Sequence, residues 1–256
     1  MTSSLGSRSD WWARILSIAA LVGLWAALSG LATDRTLPSP QAVLGFALQD
    51  SLHGDLVFNL GMTLWRVTAS YVIAMAAGTV LGVLLGLNRR ADTLLDTWLL
   101  ILLNLPALVL AILCYVWLGL TETAAITAVA LNKVPSVVVI LREGTRSLDR
   151  DLEEMARAYR MPTGTWLRHV VAPQLAPYAA AASRTGLALV WKIVLVVELL
   201  GRSNGVGYAI STAFQLFDVR AILAYALVFT SVMLGIEFLV LQPVERHVRR
   251  WRSPAH

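Results

Sequence analysis

Six long apolar stretches, separated by polar links, dominate the chain. They run from about Trp11 to Thr33, Leu60 to Leu87, Leu94 to Leu118, Thr123 to Leu141, Pro173 to Leu200 and Ala221 to Val244. Apolar side chains surround each stretch on all sides rather than forming one stripe, as expected of helices in lipid, where every backbone group must be bonded internally. No charge lies between Arg66 and Arg89, nor between Asp96 and Glu122. A helix needs about 20 mostly apolar residues to cross the hydrocarbon core. The pattern therefore predicts an all-α, polytopic membrane protein with six transmembrane helices. It reads as a single transmembrane domain over 1–256, with an N-terminal helix at about 11–33 and a core at about 56–244. The first stretch exceeds the usual apolar region of a signal peptide and is expected to be retained.

The links alternate in charge. Arg8 and Arg14 precede the first stretch, and the link after it (Asp34, Arg35, Asp50, Asp55) is net acidic. Arg89 and Arg90 follow the second stretch, and Glu122 stands alone after the third. Arg142, Arg146, Arg150, Arg157, Arg160 and Arg168 follow the fourth. Arg202, Asp218 and Arg220 follow the fifth, and Arg246, Arg249, Arg250 and Arg252 close the chain. By the positive-inside rule both termini and the 142–169 link are cytoplasmic. Between the first two stretches, Leu37-Pro38-Ser39-Pro40 opens an amphipathic segment, Val43 to Leu56, expected to lie as a helix along the membrane surface.

Composition adds to this picture only where it excludes something. The chain is 57% hydrophobic and 14% charged, with a net charge of +5, against about 25% charged in soluble domains. All 21 basic residues are arginine except Lys133 and Lys192. They cluster between apolar stretches, so the excess reads as topology rather than as nucleic-acid binding. One cysteine, Cys114, sits in an apolar run and has no internal partner; it reads as a small packed residue. His53, His169, His247 and His256 are scattered. Clustered metal ligands, a nucleotide-binding Gly-x-x-x-x-Gly-Lys-Ser/Thr loop and converging catalytic groups are all missing from the sequence. The chain reads as a non-enzyme without metal or cofactor.

The 142–171 link has helical periodicity: Leu148, Leu152, Met155, Ala156 and Tyr159 recur on one side. Asp149, Asp151, Glu153 and Glu154 crowd the predicted helix start, where they complement the helix dipole. Pro162-Thr163-Gly164 breaks the helix, and Pro173 opens the fifth stretch. The expectation is a helix–turn–helix under the membrane with an apolar ridge, although the same pattern suits a helix resting on lipid headgroups.

From Glu154 the chain reads Glu154-Met155-Ala156, then Arg160, Val170 and Pro173. This resembles the EAA loop of ABC importer permeases, in which Glu-Ala-Ala is followed by Gly and then Ile-x-Leu-Pro at that spacing. Glu154, Ala156 and Pro173 match and Val170 nearly matches, whereas Met155, Arg160 and Ala172 depart. Leu37-Pro38-Ser39-Pro40, Leu105-Pro106-Ala107, Trp191, Glu198 and Gly205-Val206-Gly207-Tyr208 are similar to the nitrate, sulfonate and taurine branch of these permeases. The resemblance covers roughly residues 37 to 252. It implies a type I ABC importer permease fold in the bacterial inner membrane, with a cytoplasmic coupling helix docked on a separate ATPase that binds the ATP. Leu152, Met155 and Tyr159 would fill a cleft of that ATPase, with Glu154 and Arg157 at the rim and Ala156, Arg160 and Pro173 shaping the loop. The implied partners are two ATP-binding subunits, a second copy of the permease, a periplasmic or lipid-anchored binding protein and membrane lipid, without nucleic acid. At Arg160, where the family has glycine, the expected geometry differs: an arginine adopts φ > 0 only at a cost. The helix is therefore expected to continue through Tyr159 and Arg160, with Pro162 and Gly164 supplying the turn.

Lys133, Arg184, Lys192, Glu198 and Glu237 fall inside apolar stretches. A charge at the bilayer centre costs at least about 2.5–3.5 kcal/mol, so each faces protein or a watery path. Lys133, Arg184, Lys192 and Glu198 are candidates for a substrate pathway. The three cations nearest the centre favour a small anion of sulfonate, taurine or nitrate type. The alternatives are structural pairing, such as Lys192 with Glu198, and an uncharged or cationic vitamin precursor as cargo, since the branch includes such carriers. A stand-alone channel or secondary transporter would leave the Glu154-to-Pro173 pattern without a role.

Overall fold

The computed structural model of the protein describes residues 8–31 and 36–243, and among these every regular element is helical. In chain order they are α1 (Arg8–Leu31), α2 (Pro40–His53), α3 (Leu56–Leu87), α4 (Arg89–Asn104), α5 (Ala107–Leu118) and α6 (Glu122–Arg146). They continue with α7 (Arg150–Ala158), α8 (Thr163–Trp166), a π-turn (Leu167–Val171), α9 (Ala172–Gly201), α10 (Val206–Gln215), α11 (Val219–Ile236) and a second π-turn (Glu237–Leu241). Four helices are long and apolar enough to cross a bilayer: α3, α6, the continuous helix Thr163–Gly201 and Val219–Leu239. The pair α4–α5 is long and apolar enough only when its two helices are taken together, and α1 contributes a shorter apolar stretch, Ile15–Leu31. The expected end of the first stretch and the arginine-rich tail lie outside the described residues.

Three expectations are corrected. The third stretch is not one straight span: α4 and α5 meet at a 99° bend. Leu105 is extended (φ −69°, ψ 124°) ahead of Pro106, whose ring disfavours the α region for the residue before it and which has no N–H to continue the ladder. The amphipathic segment ends at His53 rather than Leu56, and Leu56 opens α3. That segment, α2, is also more than a surface helix. It buries Val43 and Ala47 and packs on α11, while Leu44, Leu48 and Leu52 face outward.

The two π-turns share one sequence context. Ala172 N–H and Gln242 N–H each donate five residues back, to Leu167 and Glu237. Each is followed by a proline, Pro173 or Pro243, which has no N–H to donate.

At the centre, α6 packs against α3, α9, α5 and α4. The α3–α6 contact is parallel and very close. A methyl built on Gly78 would lie 2.5 Å from Val137 Cβ, one on Gly82 2.8 Å from Leu141 Cβ, and one on Gly86 2.4 Å from Thr145 Cβ. Glycine at every fourth position puts a side-chain-free stripe on one face of α3, and with buried Ala74 and Ser70 this stripe lets the two backbones touch. Three successive contacts with the same stagger make α3 and α6 one mechanical unit. A cluster of Ala125, Val129, Val190, Val194 and Phe229, among others, joins α9 and α11 to this unit.

Candidate functional site

The connection between α6 and α9 carries the first candidate site. Asp149 starts α7 by accepting a bond from Asp151 N–H, and its own N–H donates to Gln174 Oε1, 2.9 Å away on the first turn of α9. Ser147 Oγ and Tyr178 Oη lie 2.7 Å apart, and Gly144 sits flat against the Tyr178 ring. Leu148 and Trp166 pack on Val137, Leu141, Val171 and Leu175. The connection is therefore bolted to the end of one span and the beginning of the next.

On its outer side α7 presents Leu152 and Met155, about two-fifths exposed, and Tyr159, which is 81% exposed. Glu154 and Arg157 flank them and are exposed. Arg157 donates to Glu153, one turn before it, at 2.6 Å. Ala156, one turn after Leu152, is buried. The residues singled out on this helix thus divide into an uncovered apolar ridge with a charged margin and an inward-facing anchor. Pro173 stands in the first turn of α9.

The expectation for Arg160 is overturned. Arg160 has φ +49°, in the left-handed region. Helix α7 ends at Ala158. Arg160 N–H donates to Arg157 O at 3.0 Å and Met161 N–H to Ala156 O at 2.9 Å. These two bonds form a Schellman cap, which satisfies carbonyls that the helix end would leave bare. The gain outweighs a left-handed strain of about 1–2 kcal/mol, so arginine takes up the turn that glycine makes in the family pattern. Phe217 repeats the arrangement at φ +54°, with bonds from Phe217 N–H to Phe214 O and from Asp218 N–H to Ala213 O. Replacing Arg160 with glycine is accordingly expected to stabilise the protein by up to about 1 kcal/mol, seen as a raised melting temperature; a lowered one would contradict the cap.

Beside the connection, Arg142 bridges Asp92 (3.0 Å) and Asp96 (2.6 Å), and Arg146 also bonds Asp92. The group ties α4 to the end of α6, immediately before the connection.

At the opposite end of the bundle lies a buried polar cluster whose key member the charge inventory missed. Arg66 reads in the sequence as a residue near the edge of an apolar run, yet it is 1% exposed. Its guanidinium donates to Glu122 (2.8 and 2.9 Å), to Glu198 (2.7 Å), to Asn204 O (2.9 Å) and to Asn204 Oδ1. Arg202 closes the circuit on Glu122 at 2.8 Å. Two cations and two carboxylates balance, as burial of charge demands. Glu198, fully buried, also accepts from Thr63 Oγ1 and from Gly207 N–H, both at 2.9 Å. Gly205 N–H donates to Asn59 and Val206 N–H to Thr63, each at 2.8 Å. The three leading amides of α10 are thus capped by side chains of α3 and α9. Gly205 has φ +106°, and any Cβ there would strike the Glu198 carboxylate. The Gly-Val-Gly motif is the seat of this carboxylate.

The four pathway candidates do not form one site. Glu198 lies within the closed cluster just described. Lys192 is exposed, with its ammonium 5.4 Å from the Trp191 ring centre, so its expected alternative pairing with Glu198 is not formed. Arg184 is exposed on the α9 face beside Trp191, Met233 and Glu237. Lys133 is buried to 2% exposure between α3, α6 and α9.

Residues 78–253 match the family described as binding-protein-dependent transport system inner membrane component. The putative aliphatic sulfonates transport permease protein SsuC of Bacillus subtilis (strain 168) is 28% identical over 249 residues, 96% of this chain and 90% of that protein. The protein of the same description from Escherichia coli (strain K12) is 30% identical over 238 residues, 92% of this chain and 90% of that one. Among solved structures, an inward-facing conformation of the MetNI methionine ABC transporter aligns with a TM-score of 0.66 at 18% identity. The alignment covers 80% of this chain and 99% of that one. This last likeness concerns the fold.

Proposed function

Given that the chain belongs to the family of binding-protein-dependent transport system inner membrane components, we propose that α7 is its coupling helix and that its cargo is a small anion of sulfonate, taurine or nitrate type. The protein is a membrane-spanning permease subunit of an ABC importer, and transport rather than catalysis is its role. Its partners are an ATP-binding subunit and a substrate-binding protein. The rest of the reading is ours. The protein works as a single membrane domain paired with a second copy in the inner membrane, with both termini and α7 in the cytoplasm. The alternation of arginine-rich and arginine-poor links supports that orientation. ATP stays with the ATPase, and no metal group is found among the described residues.

The observation that carries the coupling role is the uncovered ridge of Leu152, Met155 and Tyr159 on a helix anchored at both ends. An apolar ridge on a stiff element favours a partner's groove. A push on α7 reaches α6 through Ser147 and Leu148 and reaches α9 through Gln174 and Tyr178. Packed helices respond by rigid shifts, the kind of movement that alternates access. Glu154 and Arg157 supply the polar margin of the docking face, while Ala156, Arg160 and Pro173 set its geometry. The anionic cargo rests on the sulfonate relatives and on the cations Lys133, Arg184 and Lys192, with the buried Glu198 cluster as the wall at the far end.

The double variant Leu152→Asp/Tyr159→Asp tests the coupling role. Both side chains are solvent-facing, so the permease should insert and purify normally, while the ATPase should fail to co-purify or lose substrate-stimulated hydrolysis. Normal stimulated hydrolysis in the double variant would rule α7 out as the coupling element.

A further inference from the structure

Lys133 is the one lysine in this chain that lies inside the bundle; the other, Lys192, faces outward. Its ammonium meets no carboxylate, hydrogen-bond acceptor or aromatic face among the described residues. The nearest carboxylate network, around Arg66 and Glu198, is self-balanced and lies farther along α3. By the α3–α6 stagger, which sets Gly78 beside Val137 and Gly82 beside Leu141, Lys133 is level with Ala74. Arg66 is eight residues away on that helix, about 12 Å.

What surrounds Lys133 is polar in one sense only. Its side chain runs over Gly186 of α9: a Cβ on Gly186 would stand 2.8 Å from Lys133 Cε, 3.4 Å from Nζ and 3.5 Å from Tyr71 Cε2. Tyr71 Oη bonds Ser183 Oγ, one turn before Gly186 on α9. One ammonium and two hydroxyls thus gather where α3, α6 and α9 meet. All three groups donate hydrogen bonds, and no acidic residue stands among them. Such a set suits an oxyanion, whose several lone pairs accept from many donors.

The mechanics place this group on a seam. Glycine packing welds α3 to α6, so these two helices move together. At this level α9 meets them at Gly186 and through the Tyr71–Ser183 hydrogen bond, with Ala182 and Val190 buried in the adjoining apolar clusters, and it runs unbroken from the connection at Thr163.

We propose that Lys133, with the hydroxyls of Tyr71 and Ser183, is an anion subsite that Gly186 covers in this conformation and that the movement of α9 uncovers. The site takes the sulfonate-type head of the cargo in transit and gives it up when α9 returns. The uncompensated ammonium is what makes the site transient: it gains a partner only while the seam is open. This rests on the permease and anion reading above and assigns it a place in the fold.

The test uses the assembled transporter, with its ATPase, in liposomes. Small-molecule amine acetylation is followed at Lys133 by peptide mass spectrometry on the unmutated chain, with ethanesulfonate as the probe and choline chloride as the control at equal ionic strength. Lys133 should be modified slowly at rest and severalfold faster during ATP turnover. Ethanesulfonate should suppress that gain and choline should not. In parallel, Lys133→Met should lower ethanesulfonate uptake about tenfold or more, the scale of one charge-assisted hydrogen bond. If that variant fails to assemble, labelling of the unmutated chain still decides. Equal modification in both states, or a gain indifferent to ethanesulfonate, overturns the subsite. If the unmutated transporter imports an uncharged solute and no sulfonate, the anion reading itself has failed. Sulfonate import with an inert Lys133 removes the subsite alone.

Discussion

Replacing Arg66 with methionine is expected to cost the permease about 3–5 kcal/mol, the scale for removing one partner of a buried ion pair. The variant would leave the Glu198 carboxylate, which has no exposure to solvent, without its cation, and would leave Glu122 with Arg202 alone. It would also free Asn204 and slacken the turn that delivers Gly205 to α3. The measurable result is loss of a monodisperse peak in detergent, or a melting temperature lowered by many degrees. Adding Glu198→Gln should recover part of the loss. The amide oxygen still accepts from Gly207 N–H and Thr63, while the unpaired negative charge is gone. Non-additivity of this kind is the mark of direct coupling. An Arg66→Met variant that melts with the unmutated protein would show that the cluster does not hold the Asn204–Gly205 turn in place.

The glycine stripe on α3 carries the second large effect, and its sign is unusual. In a helix, Gly→Ala normally stabilises by roughly 0.5–1 kcal/mol. Gly61, also on α3, has nothing within 4 Å of the added methyl, so Gly61→Ala should follow that rule. At Gly82 the same methyl would stand 2.8 Å from Leu141 Cβ and 2.9 Å from Val138 O. One contact is a backbone atom and the other a Cβ, so neither can rotate away. Overpacking then costs about 1–3 kcal/mol, and Gly82→Leu should prevent folding altogether. Melting temperatures of the two alanine variants in one preparation decide the matter. If both rise, α3 and α6 are not in backbone contact.

Much of this was legible along the chain because a bilayer leaves few options. A charge-free run of span length has to be a helix, and all six runs correspond to helices or a helix pair. The 142–171 pattern was likewise readable, since Asp149, Leu152, Met155 and Tyr159 act locally, within a few turns of one another. Errors arose where distant residues or backbone geometry decide. Leu105-Pro106 was on view, but a proline in an apolar run predicts a break without its angle. Arg160 was judged by the intrinsic cost of a positive φ alone. The Schellman bonds to Ala156 and Arg157 that outweigh that cost come into view only once the helix end is built. Arg66 passed as a boundary residue because its partners are Glu122, Glu198 and Asn204, none within fifty positions of it.

The sequence by itself therefore determined the membrane class, the helical spans, the charged links and the apolar ridge of α7. These follow from hydropathy and local periodicity, which act at short range. Only the tertiary structure decided which charges are paired and which is left over. Glu198 belongs to Arg66 rather than to Lys192, the Gly-Val-Gly turn exists to seat that carboxylate, and Lys133 meets no ion-pair partner among the described residues. Each of these depends on which faces of α3, α6 and α9 meet, and that depends on a stripe of missing side chains. The closeness that Gly78, Gly82 and Gly86 permit is a property of two helices together, and neither helix specifies it alone.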